Sequence, residues 1–134
     1  EFARYDDTLA RRKAICQRYL DGFADCDWFI APHFLDAKRE SSYHLFMLRI
    51  EGASEDQRDQ VMALVQEAGV SMNVHFQPLP LLSFYKGLGY RIEDYPNSFK
   101  AYSSEISLPV YYDLSDEQVD RVIANVKSAV AKVL

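Results

Sequence analysis

Val70–Tyr90, VSMNVHFQPLPLLSFYKGLGY, is the stretch that decides the fold. It opens with alternation: Val70, Met72 and Val74 on one side, Ser71, Asn73 and His75 on the other, as in a short β-strand. Pro78 and Pro80 then remove backbone donors and bias the residues before them away from helix, so an extended segment has to leave its sheet there. An aromatic, apolar loop follows and ends at Gly87-Leu88-Gly89-Tyr90. A loop this rich in Leu, Phe and Tyr needs a surface to pack against.

Working outward, Ser41–Ile50 is the strongest strand. Tyr43, Leu45, Met47 and Arg49 point one way and His44, Phe46, Leu48 and Ile50 the other. Both faces are largely apolar, which predicts a central strand covered on both sides. Ser54 with Gln57 forms a capping-box pattern, with Glu55 and Asp56 in the first turn where the helix dipole favours acids. The helix that follows carries Val61, Leu64, Val65 and Ala68 on one side and stops at Gly69, immediately before the quoted stretch. Beyond Tyr90, Asn97 is placed to cap a short helix through Ser103 with Phe99 and Tyr102 turned inward. Glu105–Tyr111 alternates as a strand weakened by Pro109. Ser115 with Gln118 repeats the capping box and opens a final helix lined by Val119, Val122, Ile123, Val126, Val130 and Val133.

At the other end, residues 3–24 show a helical stripe of Tyr5, Leu9, Cys16, Tyr19, Leu20 and Phe23. Asp6, Arg11, Lys13, Arg18 and Asp21 occupy the opposite face and are expected to be solvated. Asp25–Glu40 is irregular, with His33 as an ordinary loop residue. The resulting order of elements is an α+β two-layer sandwich: a small, mainly antiparallel sheet with helices packed on it.

Composition narrows the function. In 134 residues a net charge of −5 with both signs scattered gives no phosphate-backbone footprint, so no nucleic-acid partner is expected. No apolar run reaches the length of a membrane span and no secretory signal is visible, so no membrane association is expected and the cytoplasm is the expected location. Cys16 and Cys26 fit no metal spacing and are expected to be reduced. Gly-rich phosphate loops, Cys/His metal spacing and a nucleophile elbow are all missing. Glu105 and Asp113 read as solvated carboxylates near strand ends rather than a hydrolytic pair. A first residue of Glu rather than Met reads as a piece of something longer.

Five motifs then line up. They are Ser42-Tyr43-His44-Leu45-Phe46 with Arg49; Ala68-Gly69-Val70 followed by Asn73-Val74-His75-Phe76-Gln77-Pro78-Leu79; Tyr85–Gly89; Ser107-Leu108-Pro109; and Asp120-Arg121-Val122-Ile123. In order and approximate spacing they resemble the small C-terminal domain of DegT/DnrJ/StrS-type sugar aminotransferases, over nearly the whole chain from Tyr5.

That resemblance implies the aspartate-aminotransferase fold and pyridoxal 5'-phosphate (PLP) as cofactor. It also implies transfer of an amino group from glutamate to a nucleotide-linked keto-sugar by a homodimer. PLP chemistry needs a lysine to hold the cofactor and an acidic partner at its ring nitrogen. In the family both lie in the large N-terminal domain, and none of Lys13, Lys38, Lys86, Lys100, Lys127 or Lys132 sits in the family's Ser-rich lysine motif. The resemblance therefore assigns residues 1–134 to one small domain, with residues 1–27 leading from a large PLP-binding domain that the chain lacks. It assigns no catalytic, cofactor-binding or metal residue here. The substrate-side candidates are His75, Phe76, Gln77 and Arg49, whereas His44 reads as a hydrogen-bonded sheet residue. One departure stands out: where many relatives carry a second histidine after the proline, this chain has Pro80. Two alternatives stay open: a PLP-dependent sugar dehydratase of the same fold, and a non-catalytic α+β ligand-binding or regulatory module. If a large domain is missing, the Tyr5–Phe23 helix and the Leu79–Tyr85 loop should present exposed apolar surface.

Overall fold

Phe46, Leu48 and Ile50 are completely buried while Met47 between them is 40% exposed, so one strand divides the molecule into a packed side and an open side. The computed structural model describes residues 2–134. The described elements are α1 (Tyr5–Phe23), β1 (Phe29–Ile30), β2 (Phe46–Ile50), α2 (Glu55–Glu67), α3 (Ser83–Gly87), α4 (Pro96–Ser103), β3 (Glu105–Leu108) and α5 (Asp116–Val133), with short 3-10 turns between some of them. The sheet runs β1-β2-β3 with both pairings antiparallel. β2 is the central strand, and the α+β architecture read from the sequence is the observed one.

The packed side is a single core. Ile15, Cys16, Tyr19 and Phe23 of α1, Val61 and Val65 of α2, and Val119, Val122, Val126 and Val130 of α5 close over the three buried β2 residues. The Tyr19 and Phe46 rings lie 4.9 Å apart, centroid to centroid. Each of the large side chains buried here contributes about 2 kcal/mol by leaving water. Most of the α1 stripe is thus used within the chain: Cys16, Tyr19 and Phe23 are buried, Leu9 and Leu20 pack partly against the core, and Tyr5 alone of the six stays 50% exposed. Burial also pushes the Cys16 thiol up to about 12, which leaves it an inert core group, and both cysteines are free.

Helix placement follows local chemistry. Both capping boxes form, with Ser54 accepting from Gln57 N–H and Ser115 from Gln118 N–H while each glutamine side chain returns the bond. Each such cap is worth about 1 kcal/mol. The polar face of α1 is less idle than expected: Arg18 grips Asp120 of α5 through Nε and Nη2 at 2.7 and 2.6 Å, and Arg11 reaches Asp116 at 2.9 Å. Asn97 does not cap α4; Pro96 occupies the first helical position, where its missing N–H costs nothing, and Phe99 stays 37% exposed.

Several strand expectations are corrected. Phe29–Ile30, inside the stretch read as irregular, pairs with Ile50 and Arg49. β2 begins at Phe46 rather than Ser41, because Tyr43 takes a left-handed backbone at φ +52° that a ladder cannot absorb. β3 stops at Leu108, before Pro109. Val70–His75 is not a strand: only Asn73 bridges to the sheet, exchanging both backbone hydrogen bonds with Ser107. The apolar loop after it contains α3 and a 3-10 turn at Leu79–Leu81, and it does present apolar surface, with Phe84 70% and Leu88 61% exposed.

Candidate functional site

The open side of β2 borders a cavity of about 1090 Å³. Met47 and Arg49 form its floor, because the two-residue strand period turns them away from the core that holds Phe46, Leu48 and Ile50. The expectation that both faces of this strand are covered is therefore not met: the second face is the floor of a cleft. His33 and Phe34 come from the loop after β1, Ser41, Ser42 and His44 from the approach to β2, and His75, Phe76 and Gln77 from the segment that leaves the sheet. All of the chain's 3 histidines reach this one cavity.

The four residues named from the resemblance, His75, Phe76, Gln77 and Arg49, all line it. Arg49 makes no salt bridge among the described residues; the carboxylate on its cross-strand neighbour Glu105 shares the same face and is engaged by His75 N–H and the Ser107 hydroxyl instead. His75 and Phe76 form a tight corner: Phe76 N–H donates to Val74 O at 3.0 Å, and Phe76 takes φ +50° while 81% exposed. A left-handed backbone on an aromatic residue costs about 1–3 kcal/mol, and such strain concentrates where a site requires a particular geometry. Tyr43, the other non-glycine residue with positive φ among the described residues, immediately precedes His44, which also lines the cleft. Its own fixing is visible, since its hydroxyl donates to Glu40 at 3.1 Å and its ring stacks on Phe34 at 5.1 Å. His44, read as a sheet residue, lies outside the sheet and faces the cleft.

Two residues that brace the site have roles the sequence reading does not anticipate. Glu105, read as solvated, is only 6% exposed; its carboxylate accepts His75 N–H at 2.8 Å and the Ser107 hydroxyl at 2.6 Å. Arg58, 1% exposed, donates through Nη1 to Tyr102 O at 2.8 Å and Glu105 O at 3.1 Å, through Nε to Asp59 at 2.6 Å, and lies 5.0 Å from the Tyr102 ring centre. A signal for Arg58 did exist: it extends the Val61–Val65 stripe by one turn, and a charge on an apolar stripe marks a buried ion. Glu105 has no comparable signal, because strand alternation places it and Ser107 together on the polar face of β3.

The lining defines what this surface can do. Three imidazoles, three serines, a guanidinium outside any salt bridge, the hydrogen-bonded Glu105 carboxylate and an exposed aromatic suit a polar ligand with an anionic group and a flat or apolar portion. Covalent attachment of PLP would need a lysine, and among the described residues none lines the cleft; Lys13 pairs with Glu40 at 2.7 Å and Lys127 with Asp25 at 2.6 Å, away from it. The residues present do not fit the anchoring of that cofactor. Nor does any group of three or more His, Cys, Asp or Glu among the described residues fit a metal ion.

Comparison with known proteins identifies relatives of the whole fold. The family model for the DegT/DnrJ/EryC1/StrS aminotransferase family matches residues 1–127. The spore coat polysaccharide biosynthesis protein SpsC of Bacillus subtilis is 33% identical over 133 residues, which is 97% of this chain and 34% of that protein. The erythromycin biosynthesis sensory transduction protein EryC1 of Saccharopolyspora erythraea is 32% identical over 124 residues, covering 92% of this chain and 32% of its own. Spr1654 from Streptococcus pneumoniae, whose name assigns it as a sugar aminotransferase, superposes in its PMP form with a TM-score of 0.95 at 41% identity, over 99% of this chain and 33% of that one. The chain spans about a third of the length of these relatives. A family model that matches all but the last turns of α5, together with a fold shared nearly residue for residue, makes this chain a member of the DegT/DnrJ/EryC1/StrS aminotransferase family.

Proposed function

We propose that this chain is the C-terminal small domain of a PLP-dependent aminotransferase that moves an amino group from glutamate to a nucleotide-linked keto-sugar. One observation carries the reading: in a member of this family, His75, Phe76, Gln77 and Arg49 converge on one open cleft that contains no lysine. The chain then supplies the substrate side of the site, and the cofactor with its lysine belongs to the large domain. His75 donates a hydrogen bond to a phosphate or sugar oxygen, or accepts one from a sugar hydroxyl, through its two ring nitrogens. Phe76 forms a wall, Gln77 a polar contact, and Arg49 a fixed positive charge for a carboxylate. The exposed apolar residues of α3 suit coverage by the large domain or by the second subunit of a homodimer. The cytoplasm, where nucleotide sugars are made available, is the expected compartment, and no described helix is long and apolar enough to cross a membrane.

The test uses the full-length protein and the 134-residue chain side by side. Given PLP, glutamate and a nucleotide keto-sugar, the full-length protein is expected to yield the nucleotide amino-sugar by mass spectrometry. The chain alone is expected to yield none, and to incorporate no PLP at a defined lysine on borohydride reduction. Loss of water from the sugar without gain of nitrogen would identify a dehydratase, and turnover by the chain alone would contradict the assignment of the lysine to another domain.

A further inference from the structure

The way His75 leaves the sheet identifies a residue that controls where it points. Asn73 and Ser107 exchange both backbone hydrogen bonds, at 2.7 and 3.3 Å, as a hydrogen-bonded antiparallel pair does. In that register the next hydrogen-bonded pair would join His75 to Glu105 through their main chains. It does not form. The Glu105 carbonyl that would accept His75 N–H is occupied by the buried guanidinium of Arg58 at 3.1 Å. His75 N–H is held instead by the Glu105 side chain, at 2.8 Å. A ladder bond is thus replaced by a bond to a carboxylate. The next residue, Phe76, takes φ +50°.

We infer that Glu105 is a positioning residue: its carboxylate holds His75 out of the ladder and the His75–Phe76 corner against the cleft, with Arg58 competing for the main-chain acceptor. The carboxylate is itself fixed. It is 6% exposed, and its second oxygen accepts the Ser107 hydroxyl at 2.6 Å, so the tether is short and has little freedom. An exposed aromatic residue in a strained backbone gains little packing from its own chain, so the corner depends on this tether for its position. That the corner serves a sugar rests on the function proposed above; that Glu105 holds it does not.

The experiment is carried out in the full-length protein with four variants, Glu105→Ala, Glu105→Gln, His75→Asn, and Glu105→Ala combined with His75→Asn. Hydrogen exchange at the His75 amide reads the tether directly. It should speed up at least tenfold in Glu105→Ala and stay near wild type in Glu105→Gln, which keeps an acceptor oxygen. Kinetics read the consequence: kcat/KM for the keto-sugar should fall about fivefold in Glu105→Ala, recover in Glu105→Gln, and fall no further in the double variant than in His75→Asn alone, because both changes remove one unit. Unchanged amide exchange in Glu105→Ala would overturn the tether. Faster exchange with unchanged sugar kinetics, or additive losses in the double variant, would overturn its role in positioning. A wild-type protein that aminates no keto-sugar would refute the proposed function and leave the exchange result to decide the tether alone.

Discussion

Replacing Arg58 by Met should destabilise this chain by about 3 kcal/mol, read by urea denaturation, and lower its melting temperature by roughly 10 °C. The side chain is 1% exposed and its Nη1 serves two backbone carbonyls, Tyr102 O and Glu105 O. Methionine fills much of the volume but donates nothing, so both carbonyls lose their donor while remaining sheltered from water, at about 1–3 kcal/mol each. Removing a buried charge also relieves a desolvation cost, which offsets part of that loss. The carboxylates are affected less: Asp59 and Glu55 have side chains 60% and 36% exposed and regain water. The face of Arg58 that stacks on Tyr102 is lost as well, and with it the connection of α2 to the α4–β3 junction. A change below about 1 kcal/mol would mean that relief of the buried charge's desolvation cancels the loss of its hydrogen bonds.

The second large effect concerns turnover. In the full-length enzyme His75→Asn should lower kcat/KM for the sugar by roughly tenfold or more, about 1.4 kcal/mol of lost transition-state stabilisation. The melting temperature should stay within a few degrees of wild type, because the bond that secures His75 is made by its backbone N–H to Glu105 and survives the substitution. PLP occupancy should also survive, since no lysine borders this cleft. If His75 only packs against the neighbouring Phe76 ring, 4.9 Å away between centroids, the variant will lose stability and keep wild-type turnover per folded molecule.

What the sequence made legible was mostly local or strongly periodic. Ser54–Gln57 and Ser115–Gln118 cap their helices within four residues of chain, so their chemistry can be read without knowing the fold. The alternation of Phe46, Leu48 and Ile50 identified the central strand for the same reason. β1 was hidden because two residues show no period, and its pairing is set by the edge of β2 rather than by its own composition. α3 was hidden because its apolar residues are exposed, so no amphipathic stripe distinguishes five residues of helix from an apolar loop.

The quoted stretch is the instructive case. Its alternation is real and Asn73 does reach the sheet, but Arg58 and Glu105, distant in sequence, take over the bonds that would have continued the strand to His75. A pattern-based reading sees the strand and not the side chains that interrupt it. The site residues His75, Phe76, Gln77 and Arg49 came from a family resemblance, and their convergence depends on this interruption together with the outward turn of Arg49 on β2.

The central claim is that this cleft faces the sugar nucleotide. The most direct measurement is a crystal structure of the full-length protein with its cofactor and a bound nucleotide sugar. An imidazole nitrogen of His75 is expected about 3 Å from a sugar or phosphate oxygen, with the sugar against Phe76 and Gln77. A structure in which the cleft bounded by Met47, Arg49 and His75 is filled by other parts of the protein, with the nucleotide sugar bound elsewhere, would contradict it.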